Sequence, residues 1–176
     1  MNKVYIGDCR ATMRELAAQG VRVQCCVTSP PYWGLRDYGV AGQIGLEPTL
    51  DDWVTTLVDV FRDVRNLLAD DGTLWVNLGD SYAAGTAGNR KPSATGRHGY
   101  WTNSAVNKRI SGRADGLKPK DLIGQPWALA FALRADGWWL RQDIIWHKPS
   151  PMPEAVTDRC TKSHEYLFLL SKSERY

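Results

Sequence analysis

Long apolar runs are missing from this sequence. None approaches the roughly 20 residues needed to cross a bilayer, and the first residues show no signal-peptide pattern. Cysteine is sparse: four residues, two of them adjacent at Cys25 and Cys26, with no Cys-x-x-Cys spacing. That argues against a disulfide framework or a zinc site and suits a reducing cytoplasm. Histidine is scarcer still, and His98, His147 and His164 form no ligand pair at helical spacing, so no metal is expected. What remains is a chain of 176 residues, long enough for one domain with a real core. Its 43% hydrophobic and 23% charged content is that of a soluble globular protein.

The net charge of +3 conceals an asymmetry. Residues 84–120 hold eight basic side chains, Arg90, Lys91, Arg97, Lys108, Arg109, Arg113, Lys118 and Lys120, against one acid, Asp115. The rest of the chain is left with 14 basic and 18 acidic residues. Six glycines fall in the same window. A basic, glycine-rich insert on an otherwise mildly acidic domain is the footprint expected for phosphate contact. A solvated insert has the same composition.

The most informative stretch is Thr28-Ser29-Pro30-Pro31-Tyr32. It closes a β-branched, apolar run from Val21 to Val27 that reads as a buried strand. Neither proline can donate to a strand ladder, so the strand must stop there. The C-terminal end of such a strand thus carries a hydroxyl, two rigid carbonyls and an aromatic ring. That is where open α/β sheets bind ligands, although a plain strand followed by a proline turn would account for the same residues.

Periodicity fills in the surroundings. Lys3 to Asp8 reads as a short strand and turn, followed by a helix over about Cys9 to Gln19 with Met13, Leu16 and Ala17 on its apolar face. With the Val21–Val27 strand this makes an opening βαβ unit, hence a parallel sheet. Trp53, Leu57, Val60, Phe61, Val64 and Leu68 mark the buried face of a helix from Leu50 to about Ala69. Asp70-Asp71-Gly72 reads as a turn, and Thr73 to Leu78 as a third strand that ends in the polar sequence Asn77-Leu78-Gly79-Asp80-Ser81-Tyr82. A helix is expected from Asp121 to about Arg134, with Trp127, Leu129, Ala130 and Leu133 inward. Strands follow over Trp138 to Trp146 and Tyr166 to Leu170. These last two lack a helical pattern between them and suggest an antiparallel edge.

Ser29-Pro30-Pro31-Tyr32 resembles the (Asp/Asn/Ser)-Pro-Pro-(Tyr/Phe/Trp) tetrapeptide of the amino-methylating DNA methyltransferases, which modify adenine N6 or cytosine N4. The sequences Asp143-Ile144-Ile145-Trp146-His147-Lys148-Pro149 and His164-Glu165-Tyr166 are also very like the family's, and the likeness covers nearly the whole chain outside 84–120. The resemblance implies an α/β, Rossmann-like methyltransferase sheet, mostly parallel, with an antiparallel C-terminal strand pair. It implies catalysis at Ser29, Pro30, Pro31 and Tyr32, with S-adenosylmethionine as methyl donor and double-stranded DNA as substrate. Asp8, at the family's Gly-Asp position, becomes a candidate cofactor contact, although helix N-capping explains it equally. Candidate DNA contacts are Trp33, Arg36, Lys148 and Arg159 together with Arg90, Lys91, Arg97, Lys108, Arg109 and Arg113.

The chemistry follows from the residue types. An exocyclic amine is a poor nucleophile because its lone pair is delocalised into the base. Hydrogen bonds from its N–H groups to the Ser29 hydroxyl and the Pro30 carbonyl would favour a pyramidal nitrogen, which is positioning and preorganisation. The base must leave the duplex, and Tyr32 is the natural stacking platform. Serine in the first position leans toward cytosine N4, though both subfamilies use both residue types.

The family's Phe-x-Gly-x-Gly cofactor loop has no counterpart here. Gly39-Val40-Ala41-Gly42-Gln43-Ile44-Gly45 is the nearest stretch, and it follows no expected strand. The expectation is therefore the catalytic half of such an enzyme, running from Met1 and stopping at Tyr176 before the cofactor half. It would expose a bare strand edge and need a complementing chain or self-association. A non-catalytic DNA-binding remnant is the other reading. A zinc deaminase is disfavoured, since its His-x-Glu and Cys-x-x-Cys signature is lacking.

Overall fold

The computed structural model describes residues 2–83, 116–151, 153 and 156–176. Most of the basic insert, with Arg90, Lys91, Arg97, Lys108, Arg109 and Arg113, lies outside the described residues. The elements run α1 (Cys9–Ala18), β1 (Val23–Thr28), α2 (Leu50–Leu67), β2 (Leu68–Leu78), α3 (Gln125–Ala135), β3 (Trp139–His147) and β4 (His164–Ser171).

Among the described residues the four strands form one sheet in the order β1-β2-β4-β3. β1 and β2 are parallel, joined by the α2 crossover. The β2/β4 and β4/β3 contacts are both antiparallel, so the expected C-terminal pair is present and the described sheet is mixed. Residues 3–7 do not form the expected opening strand. Among the described residues they pair with no strand, and Val4 and Ile6 are 86% and 98% exposed. A strand needs a ladder partner, and β1 turns its one occupied edge to β2. The first parallel crossover is therefore β1-α2-β2 rather than a unit beginning at residue 3.

α2 is the central helix. Thr49 caps it by accepting from the Asp52 backbone N–H at 3.1 Å, and Asp51 and Asp52 sit in its first turn, where the helix dipole favours acids. Its expected apolar stripe is buried, with Trp53 and Leu57 at 0% and 1% exposure. α1 lies on α2 and contributes no fully buried residue. Its Arg14 instead forms an ion pair with the nearly buried Asp63 of α2 at 3.0 Å.

Two boundaries differ from expectation. Asp70–Gly72 is not a turn between elements but part of β2, where the register slips so that Val23 opposes Leu68 and Cys25 opposes Thr73. The extra residues bulge out of the ladder and the chain continues as strand. The helix expected from Asp121 begins only at Gln125. Residues 120–123 bond instead to 81–83: Ala83 N–H donates to Asp121 O at 2.8 Å, and Ile123 N–H to Ser81 O at 2.9 Å. The core lies between the sheet and its helices, with Leu74, Val76 and Leu78 of β2, Leu129 and Leu133 of α3, and Phe168 and Leu170 of β4 all buried.

Candidate active site

β1 ends where the prolines remove its donors, and the tetrapeptide turns out over the C-terminal end of the sheet. Ser29, Pro30, Pro31 and Tyr32 line a cavity of about 360 Å³ together with Leu35, Arg36, Tyr38 and Glu165. The sheet order explains Glu165: β4 lies beside β2 and runs against it, so the start of β4 meets the end of β2 and faces the end of β1.

Each wall of the tetrapeptide is held from a different element. The Trp53 indole N–H of α2 donates to the Pro31 carbonyl at 2.9 Å. The fully buried Gln125 at the start of α3 accepts from the Trp33 backbone N–H at 3.0 Å. Its amide also donates to the Gly79 carbonyl at 3.1 Å, tying the loop to the end of β2. Gln125 is itself placed by Asp80, whose carboxylate accepts from the backbone N–H groups of Gly124 and Gln125. That is helix capping by a residue distant in sequence.

Two glycines pass close to Tyr32. A Cβ on Gly79 would stand 3.1 Å from Cε2 of Tyr32 and 3.3 Å from Cγ of Glu165. Gly45, at φ +103°, passes so close that a Cβ would stand 3.0 Å from the Tyr32 carbonyl oxygen.

The polar interior centres on the Tyr32 hydroxyl. Ser29 Oγ donates to it over 3.4 Å, and it faces Oδ1 of Asn77 at 3.4 Å and Oε2 of Glu165 at 3.5 Å. Asn77 is oriented by donating its amide to the Tyr166 carbonyl at 3.2 Å. Glu165 is oriented by Lys148, which forms an ion pair with its other oxygen, Oε1.

The sequence candidates are thus partly brought together. Ser29, Pro30, Pro31, Tyr32 and Arg36 share the cavity. Trp33 does not: it is 3% exposed, inside the core, with its indole N–H donating to the Glu47 carbonyl at 3.0 Å. An aromatic next to a diproline could face either way, and the hydrophobic core claims this one, so it is no DNA contact in this conformation. Lys148 reaches the site through Glu165 rather than standing free for a phosphate. Arg159 lies 3.8 Å above the Tyr82 ring.

Asp8 is the N-cap of α1, accepting from the Arg10 backbone N–H at 2.8 Å. The Arg10 guanidinium and backbone N–H hold its carboxyl down at a pKa of about 2. Its capping reading is realised. Sequence reasoning missed Glu165, Asn77, Gly79 and Gln125 as site residues. Asn77-Leu78-Gly79 at a strand end and the His164-Glu165-Tyr166 phrase carried the signal, but only pairing β2 with β4 joins them.

Among the described residues no cluster of His, Cys, Asp and Glu could hold a metal ion. No described helix is long and apolar enough to cross a membrane.

Comparison with known proteins agrees with this geometry. The chain is 53% identical over 182 aligned residues to the type II methyltransferase M.SmaI of Serratia marcescens, an alignment taking in 99% of this chain and 57% of that protein. Its fold matches the M1.HpyAVI–SAM complex with a TM-score of 0.57 at 13% identity, over 99% of this chain and 57% of that one. It also matches the cytosine-N4-specific PvuII DNA methyltransferase with a TM-score of 0.59 at 17% identity, over 97% and 49%. The chain therefore spans about half the length of these relatives. The family model described as DNA methylase covers residues 23–176, which takes in every strand of the sheet and the whole cavity wall, and the chain belongs to the DNA methylase family.

Proposed function

We propose that this chain is the catalytic part of a site-specific DNA methyltransferase, transferring methyl to the exocyclic amine of a cytosine or adenine flipped from double-stranded DNA. The observation that carries the proposal is the shared cavity: a hydroxyl, rigid carbonyls, an aromatic ring and a carboxylate converge at the C-terminal ends of β1 and β2. An amine with two N–H groups needs acceptors there, and Ser29 Oγ and the Pro30 carbonyl supply them. Tyr32 offers its ring to the base and Arg36, exposed at the same cavity, suits the phosphate beside it. The rate gain asked of these groups is orientation and charge placement, with no covalent intermediate.

The methyl donor would be S-adenosylmethionine, which supplies an electrophilic methyl on a sulfonium when bound. The acceptors of the cavity wall, Ser29 Oγ and backbone carbonyls among them, suit the cationic, reacting end of that molecule, although Glu165 is already paired with Lys148 and Arg36 lines the same cavity. The Gly39–Gly45 stretch lies in the β1–α2 connection, and Asp8, engaged by Arg10 at the start of α1, is the cofactor contact that the family resemblance offers. Among the described residues the outer edge of β1 has no strand partner, and Val27, on one face of that strand, is 75% exposed. Together with the exposed residues 4–6, it suits a complementing polypeptide or a second copy.

A non-catalytic DNA-binding role is the alternative, favoured by the commitment of Asp8, the cofactor candidate, to capping α1. Labelled S-adenosylmethionine and duplex DNA, assayed with and without a supplied cofactor half from a relative, separate the two. Label in DNA supports the enzyme. DNA binding with no label in either arm supports the alternative.

A further inference from the structure

The mechanism just proposed requires Ser29 Oγ to present a lone pair, not its proton, to the target amine. A serine hydroxyl can rotate to do either, so something must fix its direction. The neighbours of Tyr32 do so. Ser29 Oγ stands 3.4 Å from the Tyr32 oxygen and donates to it. The Tyr32 hydroxyl in turn has two acceptors within reach, Asn77 Oδ1 at 3.4 Å and Glu165 Oε2 at 3.5 Å. A carboxylate has no proton to give, so a chain of hydroxyls that ends on one can run in only one direction.

We infer that Glu165 is a positioning residue that polarises a Ser29-Tyr32-Glu165 hydrogen-bond chain, with Lys148 pinning its carboxylate, so that Ser29 meets the base as an acceptor. This rests on the methyl-transfer reading above.

Three features of the site support it. Lys148, from the end of β3, takes Oε1 and leaves Oε2 for Tyr32. The pair is partly sheltered, with the Glu165 side chain 22% exposed, and a sheltered ion pair is a poor way to stabilise a fold compared with apolar packing. Gly79 removes the side chain that would otherwise separate the Tyr32 ring from Glu165. Distances of 3.4 and 3.5 Å are long for O–H···O bonds, and the inference requires them to shorten by roughly half an ångström when a base is bound.

Asn77 gives the same polarity from a second side. Its amide nitrogen is committed to the Tyr166 carbonyl, which turns Oδ1 rather than N–H₂ toward Tyr32. Loss of Glu165 alone therefore weakens the direction of the chain without abolishing it.

The test compares Glu165→Gln, Lys148→Met and Tyr32→Phe, singly and in pairs, in the protein that transfers methyl. Glu165→Gln is expected to lower kcat about tenfold or more, with KM for DNA unchanged within about twofold and Glu165→Asp restoring part of the loss. Because Glu165 acts through the Tyr32 hydroxyl, it should cost little further in the Tyr32→Phe background. A Glu165→Gln enzyme with wild-type kcat, or a loss fully additive with that of Tyr32→Phe, overturns the inference. If Glu165→Gln does not fold, Lys148→Met with Glu165 intact makes the same comparison. If the wild type transfers no methyl, the functional reading fails separately. The chain is then read by the ¹³Cζ resonance of Tyr32, which should move on either Glu165→Gln or Lys148→Met. A resonance unmoved by both overturns it.

Discussion

The indole N–H of Trp53 donates to the carbonyl oxygen of Pro31 over 2.9 Å, so the first turn of α2 holds the diproline that closes β1. Trp53 is fully buried while Pro31 is exposed, so the bond lies at the margin of the core. Trp53→Phe keeps an aromatic ring, removes the donor and leaves a carbonyl unpaired. We expect a loss of about 1–3 kcal/mol in stability, measured by denaturant unfolding, and a fall in kcat larger than any change in DNA affinity. Unchanged stability would mean that water replaces the bond without cost.

Ser29→Ala should abolish methyl transfer while leaving DNA binding nearly intact, because the only DNA group the proposal gives the hydroxyl is the reacting amine. Single-turnover transfer and a DNA-binding isotherm on the same preparation check this. Wild-type turnover would remove Ser29 from the mechanism.

The charge of the 84–120 insert is legible in sequence alone. Replacing Arg90, Lys91, Lys108 and Arg109 with alanine should flatten the salt dependence of duplex binding. If all four meet phosphates, the slope of log affinity against log salt falls by about three to four. An unchanged slope would assign the insert to solvent.

The open edge of β1 and the exposed Val4 and Ile6 lead us to expect that this chain by itself is oligomeric or poorly soluble. It should bind S-adenosylmethionine no better than weakly. Sedimentation and calorimetry decide it. A monodisperse monomer with micromolar cofactor affinity would contradict both expectations.

Asp8 gives a pH dependence. Arg10 lowers its carboxyl from 3.8 to about 2, so the folded state binds this proton less readily than the unfolded chain. The contribution of the cap to stability is thus complete above about pH 4 and is lost as pH falls through about 2. Asp8→Asn, which can still cap, should remove this part of the acid dependence while preserving α1. An NMR titration of the Asp8 carboxyl that finds a midpoint near 3.8 would refute it.

Much of this architecture could be read from residue order. β-branched runs, the 3.6-residue stripe of α2 and the donor-less prolines act locally, so they placed β1, α1 and α2 and put Ser29 to Tyr32 at a strand end. The antiparallel pair β3/β4 followed from the lack of a helical pattern between its strands. Three things were decided only by tertiary structure. Residues 3–7 have strand-like sequence, but a strand exists only with a partner, and none of the described residues supplies one. Trp33 could have faced water or core, and burying its large ring in the core outweighs exposing it. Glu165 lies 133 residues from Tyr32 in sequence, with no periodicity or spacing to link them. They meet because β4 inserts beside β2, and the acceptors around one tyrosine hydroxyl exist only once that sheet order is set.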